Sequence, residues 1–81
     1  MKNYEITVLT KKPLFEKVRT LTGATPHYEG RKRLAYKICG EDFAHYYYAE
    51  RAMSEEEVRI LNDTLEFDDD ILRYLIVAKR S

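Results

Sequence analysis

The residues most able to do chemistry are three consecutive cations, Arg31, Lys32 and Arg33, which open a predicted β-strand from Gly30 to about Cys39. Arg and Lys side chains bind phosphate groups, so this block indicates an anionic partner such as a nucleic acid. Strand side chains alternate between the two faces, which sends Arg31 and Arg33 to one face and Lys32 to the other. No single groove then collects all three cations, and phosphate contacts are expected along a strand edge or end.

Aromatic side chains lie close to this basic block. Three consecutive tyrosines begin at Tyr46, on the next predicted strand. An exposed tyrosine can stack on an unpaired base, a contact worth about 1–3 kcal/mol, or it can be buried against another protein. Packing within the hairpin is the plainer alternative, with Tyr46 and Tyr48 lying against apolar residues of the preceding strand: Leu34, Tyr36 and Ile38.

Residues that could support catalysis or bind a metal form no recognisable pattern. His27 and His45 lack a His, Cys or carboxylate partner at metal-ligand spacing. The acidic run Asp68–Asp70 matches no calcium-binding loop and is interpreted as a solvated turn. Cys39 is the only cysteine, which excludes an internal disulfide, and we expect it to be a small, partly buried filler. We therefore expect no enzymatic activity, no cofactor, no metal and no small-molecule substrate.

Length and charge set the class of protein. The chain has 81 residues, which predicts one small domain over residues 1–81. Its 14 basic and 14 acidic residues give a net charge of zero, so any attraction to RNA must come from where the charges lie. No apolar run approaches the roughly 18 residues of a membrane span, and the N-terminus lacks the apolar block of a signal peptide. We expect a cytosolic protein without membrane attachment.

The first half of the chain predicts a strand and a short helix before the basic strand. Residues from Tyr4 to Leu9 alternate apolar and polar, with Tyr4, Ile6 and Val8 on one face. Pro13 suits the first position of a helix, and Gly23 suits its C-terminal cap. The helix so bounded has only about ten residues, so it depends on the sheet for stability.

The second half predicts a hairpin, a second helix and a last strand. Gly40–Asp42 is a turn between two apolar runs, which makes the basic strand and the next one, Phe43 to about Arg51, antiparallel neighbours. Ser54 and Glu57 form a capping box at the start of a helix. Residues Ile71 to Ala78 predict the last strand.

The order strand, helix, strand, strand, helix, strand predicts the fold class. It is the split β-α-β arrangement of the α+β ferredoxin-like fold, βαββαβ, with a four-stranded antiparallel sheet and two helices on one face. The other face is left open for binding. The pattern does not fix which face carries the helices.

Four segments carry a resemblance to a known family. They are Tyr4-Glu5-Ile6, the block from Gly30 to Tyr36, Ala44-His45-Tyr46 and the stretch from Phe67 to Lys79. Their sequence and order resemble bacterial small-subunit ribosomal protein S6, with an unusually short first helix. The Gly-Arg-Lys-Arg-Leu-Ala-Tyr block is the most specific part of the resemblance.

This resemblance implies a structural constituent of the small ribosomal subunit, cytoplasmic and within the ribosome. It implies binding to small-subunit ribosomal RNA in the central platform, as a heterodimer with the basic protein S18. The residues so assigned to RNA binding are Lys2, Tyr4, Arg31, Lys32, Arg33, Lys79 and Arg80. Those assigned to the protein partner are Leu34, Tyr36, Ile38, Tyr46 and Tyr48.

Two departures and two alternatives stay open. Lys37 stands where the family usually has Pro, and Arg51 stands where an apolar core residue is expected, which indicates a one-residue shift or snorkelling to the surface. One alternative is a free-standing single-stranded RNA-binding module that uses Tyr46 and Tyr48, although its usual aromatic motif is absent. The other is a small ferredoxin-like enzyme or metabolite-binding dimer, against which the missing anion-cradling loop argues.

Overall fold

The computed structural model describes residues 1–79, which form four strands and two helices. In chain order they are β1 (Lys2–Thr10), α1 (Phe15–Thr22), β2 (His27–Ile38), β3 (Glu41–Met53), α2 (Glu55–Glu66) and β4 (Ile71–Ala78). The predicted order is confirmed, and the last strand has the predicted bounds. No helix in this part of the chain is long and apolar enough to cross a membrane.

The four strands form one antiparallel sheet in the order β2-β3-β1-β4. Along β1 the register with β3 runs from Lys2 opposite Met53 to Thr10 opposite His45. The first residues of β3, Glu41–Ala44, therefore extend past β1 as part of a protruding β2–β3 hairpin. We call this end of the sheet the hairpin end and the opposite end the Lys2 end.

Both helices cover the face of the sheet that carries Ile6 and Val8. The core joins these two side chains to buried residues of β3, α1 and α2, and it contains Ile6, Val8, Val18, Tyr47, Ala49, Met53, Leu61 and Leu65. The predicted alternation of β1, which puts Tyr4, Ile6 and Val8 on one face, is confirmed. This is the face that lies under the helices. The other face, which we call the open face, carries Leu9 of β1 and two residues of β3, Tyr46 and Tyr48. Leu9 lies directly opposite Tyr46.

The first helix is short, as predicted, but it begins later than Pro13. Its N-cap is Leu14, whose non-helical φ of −122° and ψ of 53° keep Pro13 outside the helix. The Leu14 N–H donates to the hydroxyl of buried Tyr47 at 3.0 Å. A core side chain therefore fixes the start of α1. Gly23 forms the predicted C-cap.

The acidic run before β4 forms the predicted turn, with Asp69 exposed, but its other two carboxylates contact α1. The carboxylate of Asp68 contacts the Lys17 ammonium at 3.0 Å, and that of Asp70 contacts the same ammonium. Asp68 also accepts a hydrogen bond from the backbone N–H of Asp70 at 2.9 Å. These hydrogen bonds raise the pKa of Lys17 and lower that of Asp70. The loop is thereby fastened to α1.

The second helix begins with the predicted capping box, in which Ser54 and Glu57 each accept from the other's backbone N–H. The same Glu57 carboxylate receives the guanidinium of Arg51 at 2.9 Å. Arg51 also donates to the carbonyl of Thr22 at 3.3 Å, at the end of α1. The register between β1 and β3 is unbroken at Arg51, so a one-residue shift is wrong. The Arg51 side chain is 32% exposed, and its guanidinium joins the end of one helix to the start of the other.

The basic strand starts at His27, three residues before its predicted start. Between Tyr28 and Gly30 the register shifts, so that Tyr28 faces Tyr47 while Gly30 faces Tyr46. Gly30 has a φ of +100°, which residues other than glycine rarely adopt. This bulge decides which face each following cation occupies.

The hairpin turn consists of two residues, both with positive φ. Cys39 has a φ of 51° and Gly40 has a φ of 81°, and Ile38 pairs directly with Glu41. Positive φ at both positions is typical of a type I′ turn, which suits the twist of the strands. Cys39 is exposed, so its predicted role as a partly buried filler is wrong.

Candidate nucleic-acid interface

The predicted basic block lies exposed at the hairpin end, with a cation on each face of the hairpin. Arg31 lies opposite His45, and its guanidinium carbon is 4.0 Å from the centroid of the Phe43 ring. Lys32 lies opposite Ala44, and its ammonium is 5.0 Å from the centroid of the Tyr46 ring, on the open face. The predicted alternation of these two cations is confirmed. Each one stands over an aromatic face, which attracts it electrostatically.

Three other residues assigned to RNA binding, Lys2, Tyr4 and Lys79, lie far from this block. Lys2 and Lys79 lie at the Lys2 end, where the N–H of Lys79 donates to the carbonyl of Asn3. Eight residue steps separate Lys2 from Thr10 along β1, or about 27 Å at about 3.4 Å per residue. The antiparallel register therefore divides the predicted set between the two ends of the sheet.

Two members of the set at the Lys2 end are already engaged within the chain. Tyr4 is half-buried and packs against the core under the helices. The Lys79 ammonium forms an ion pair with Glu50 at 3.0 Å. Arg80 lies outside the described residues. Lys2 and Tyr4 therefore share an assignment with the arginine block but are not its neighbours, because β1 runs away from it.

A groove with a volume of about 390 Å³ lies on the open face beside Lys32. Four residues assigned to the protein partner line it, together with residues of β1 and β4. The lining includes Leu9, Leu34, Tyr36, Ile38, Tyr46 and Leu75. Two cationic residues, Lys37 and Arg73, also line the groove. No acidic residue of the described part of the chain does so.

An irregular segment of β2 builds one wall of this groove. Arg33 pairs with Phe43 and Ile38 pairs with Glu41, so β2 takes five residue steps where β3 takes two. The extra residues leave the ladder, and the groove is lined by all of 34–38. Strict alternation, which put Lys37 on the face opposite Leu34, therefore fails here. Leu9 is buried, although it lies on the open face.

Tyr48 lies on the same face of β3 but outside the groove. Its hydroxyl donates to the carboxylate of Glu50 at 2.8 Å, and this hydrogen bond is the main cause that raises the pKa of Tyr48 to about 12. Glu50 lies directly opposite Glu5 in the register. Hydrogen bonds from Lys79 and Tyr48 lower the pKa of Glu50. The Lys2 end of the open face is thus acidic and polar, unlike the groove.

Sequence reasoning missed one aromatic cluster beside the basic block. The hydroxyl of Tyr28 is 2.8 Å from Nδ1 of His45, and the two rings stack with centroids 5.9 Å apart. The bulge at Gly30 creates this pairing, and the Gly is the one signal in the sequence that pointed to it. In residues 1–79 no group of three or more His, Cys, Asp or Glu side chains is placed to hold a metal ion.

Comparison with known proteins assigns the family. The crystal structure of 30S ribosomal protein S6 from Thermotoga maritima superposes with a TM-score of 0.82 at 15% sequence identity, over 96% of this chain and 87% of that one. At this identity the similarity establishes the fold, which is ferredoxin-like. No curated protein sequence matches the chain. The family model described as ribosomal protein S6 matches residues 22–78, well over half of the sequence. The chain therefore belongs to the ribosomal protein S6 family, a family of structural, non-enzymatic proteins of the small ribosomal subunit.

Proposed function

We propose that the chain binds small-subunit ribosomal RNA in the central platform of the cytoplasmic ribosome, jointly with protein S18. The observation that carries the RNA part is the block of exposed cations at the hairpin end, with Arg31 and Lys32 on opposite faces of a protruding hairpin. Cations on both faces can meet two phosphate strands at once. Such contacts position a protein on RNA without reading its sequence.

The net charge of zero supports a need for a basic partner. Counterion release from phosphates supplies most of the non-specific affinity for nucleic acids. A neutral chain with one cationic patch gains little of it, because its acidic residues repel the same phosphates. A basic S18 adds the missing positive charge, so we expect weak RNA binding by the chain alone and much tighter binding by the pair.

The Lys2 end of the open face suits a basic partner. Glu5 and Glu50 face each other there on neighbouring strands, and Lys79 forms an ion pair with Glu50. Val77 of β4 pairs directly with Glu5 and has 44% of its surface exposed. Acidic groups beside an exposed apolar strand provide both the charge match and the buried area that a stable interface requires.

RNA binding at the hairpin end is tested with a fragment of platform RNA and a double variant, Arg31→Gln with Arg33→Gln. Its affinity in the presence of S18 should fall, and its salt dependence should weaken. The slope of log affinity against log salt should decrease by about 0.7–0.9 for each lost phosphate contact. The matched control is Arg59→Gln, which removes an exposed cation of α2 and should leave both quantities unchanged.

A second experiment tests the proposed association with S18. Glu5→Lys should weaken the association with S18 by about tenfold, because it places a cation where the proposal puts a cationic partner. Glu56→Lys, an exposed reversal on α2, is the control and should not weaken it. Equal RNA affinity with and without S18 would show that the chain works alone and would overturn the cooperative proposal.

A further inference from the structure

We propose that His45 and Arg31 together hold one phosphate group of the RNA backbone, and that Tyr28 positions the His45 ring for this contact. The site lies on the face of the sheet that α1 and α2 cover, which we call the covered face, at the base of the protruding β2–β3 hairpin. This inference rests on the proposed RNA binding. It adds to the basic block a specific phosphate site and two residues that the family resemblance does not assign.

The register of the sheet sets His45 and Arg31 side by side. Arg31 of β2 lies directly opposite His45 of β3, and His45 lies opposite Thr10 of β1 on its other side. Residues directly opposite in an antiparallel pair carry their side chains on the same face, with Cβ atoms about 4.5–5.5 Å apart. Thr10 is buried on the covered face, so His45 and Arg31 also point to that face, where the hairpin passes the end of β1.

Tyr28 fixes the orientation of the His45 ring. Its hydroxyl is 2.8 Å from Nδ1 of His45, and the two rings stack at an interplanar angle of 25°. Tyr28 is itself held by the core, because its ring centroid lies 5.1 Å from that of buried Tyr47. When the hydroxyl donates to Nδ1, the proton of the neutral ring resides on Nε2, and a protonated ring keeps a donor there as well. Both forms therefore present an N–H at Nε2.

The Nε2 atom of His45 is open to a ligand. It forms no hydrogen bond within residues 1–79, and no buried side-chain nitrogen or oxygen of those residues lacks a hydrogen-bond partner, so Nε2 is in contact with solvent. The neighbouring Arg31 guanidinium lies 4.0 Å from the centroid of the Phe43 ring, whose face attracts its charge. An imidazole N–H beside a guanidinium suits a phosphate, because phosphate oxygens accept charge-assisted hydrogen bonds from both.

The charges that the strands bring to His45 favour an anion. The charged group that faces it from β2 is Arg31, and β1 contributes Thr10, which carries no charge. The loop after Thr10 adds two exposed cations, Lys11 and Lys12. No carboxylate of residues 1–79 forms an ion pair with His45 or Arg31. A phosphate would relieve the repulsion between these cations.

The first turn of α1 does not neutralise the site either. Glu16 pairs with Arg19 of the same helix at 3.4 Å. Lys17 pairs with Asp68 at 3.0 Å and with Asp70. The carboxylates nearest this turn are thus engaged by other cations, and the anion that completes the site must come from outside the chain.

A phosphate contact at His45 makes RNA binding depend on pH. A phosphate beside the imidazole stabilises its protonated form, and histidine is the side chain that ordinarily gains charge between about pH 8 and about pH 5. By linkage, the protonated chain binds the phosphate more tightly than the neutral one. A histidine that serves only the packing of the hairpin gives no such dependence.

The test measures the affinity of the chain for platform RNA, at saturating S18, from about pH 8 to about pH 5. The affinity of the parent chain should rise as the pH falls. His45→Gln should lose this rise, which leaves its binding about tenfold weaker at the acid end. The matched control is His27→Gln, because His27 is the other histidine of the chain and lies opposite Tyr48, on the open face. It should keep the full rise.

The positioning role is tested with Tyr28→Phe, which removes the hydroxyl and keeps the stacked ring. Binding at neutral pH should weaken by about two- to tenfold, because the proton of the His45 ring is no longer directed to Nε2. The ¹⁵N NMR signals of the ring report which nitrogen carries the proton. In Tyr28→Phe they should shift from one tautomer towards a mixture of both.

Three results would overturn the inference. The first is a parent chain whose affinity does not rise in acid, and the second is an equal rise in the parent chain and His45→Gln. The third is a set of His45 ring signals that stay unchanged when platform RNA is added. Ring signals that are the same in Tyr28→Phe as in the parent chain would overturn the role of Tyr28. Failure of the wider proposal is distinguishable, because the parent chain and S18 would then bind no platform RNA at any pH.

Discussion

The two faces of the sheet are built by opposite means. The covered face is closed by α1 and α2 with large side chains that are almost fully buried, such as Tyr47, Met53 and Leu65. Within residues 1–79 no helix packs on the open face, where the irregular segment of β2 lines a groove together with Leu9. The open face also keeps large apolar side chains in solvent, including Leu75, which is 59% exposed. The buried side chains of the covered face stabilise the fold, whereas the exposed apolar side chains of the open face contribute little to its stability.

This difference separates the residues that hold the fold from those available for binding. On the covered face even the polar groups serve the fold, since Tyr47 fixes the start of α1 and Arg51 joins the two helices. On the open face the charged residues that line the groove are both cations, whereas Glu5 and Glu50 lie at the Lys2 end together with Lys79. A surface sorted in this way favours two different partners.

Truncating one leucine on each face gives the largest expected contrast. Leu65→Ala should lower the free energy of unfolding by about 2–5 kcal/mol, because it leaves a cavity in the core. Leu75→Ala should lower it by less than about 1 kcal/mol, because the side chain is already mostly in water. Urea unfolding of both variants measures the difference. Equal losses would mean that the open face is part of the core.

The bulge at Gly30 links the two faces, and changing it should have a smaller effect. Gly30→Ala should cost about 1–3 kcal/mol, because alanine is strained at a φ of +100°. No heavy atom lies within 4 Å of the added Cβ, so the cost is conformational rather than steric.

The control for this substitution is Gly30→Asn, which should recover part of the stability, because Asn adopts positive φ more often than Ala does. Urea unfolding compares the two variants with the parent chain. If Gly30→Ala is as stable as the parent, the register shift does not depend on glycine at this position.

Most of the fold follows from local signals in the sequence. The capping box of Ser54 and Glu57, the alternation of β1 and the bounds of β4 each depend on a few neighbouring residues, and all three predictions are confirmed. Pro13 misled because the start of α1 is set by the hydroxyl of Tyr47, which lies 33 residues away from Leu14 in the chain. A contact of that range leaves no local pattern.

The candidate site was predicted less well than the fold. The types of residue in the basic block and the alternation of Arg31 and Lys32 follow from the sequence, but the groove does not. Five residues of β2 line it because the strand leaves its register after Arg33, and alternation assumes an unbroken register. Likewise, nothing local showed that Lys2 lies at the end of the sheet opposite Arg31.

The smallest expected effects come from the charge clusters on the two sides of the sheet, and acid pH distinguishes them. The Lys17 ammonium lowers the pKa of Asp70 from 3.8, and Lys79 and Tyr48 lower that of Glu50 from 4.5. A lowered pKa means that the folded chain favours the ionised form. This stabilisation is complete above the ordinary pKa and is lost as pH falls through the lower, folded value.

Asp70→Asn should therefore lower the thermal midpoint at neutral pH, and the two unfolding curves should converge well below pH 3.8, where Asp70 is protonated in both states. Glu50→Gln should behave in the same way with a smaller shift, because Glu50 links side chains within the sheet, whereas Asp70 fastens a loop to α1. Both shifts should shrink with added salt, since the groups are exposed. Thermal unfolding over a series of pH values measures them. If the midpoint difference for Asp70→Asn stays constant down to the lowest pH, the carboxylate acts through its shape rather than its charge. If the shift for Glu50→Gln is the larger one, the stronger charge cluster lies on the open face.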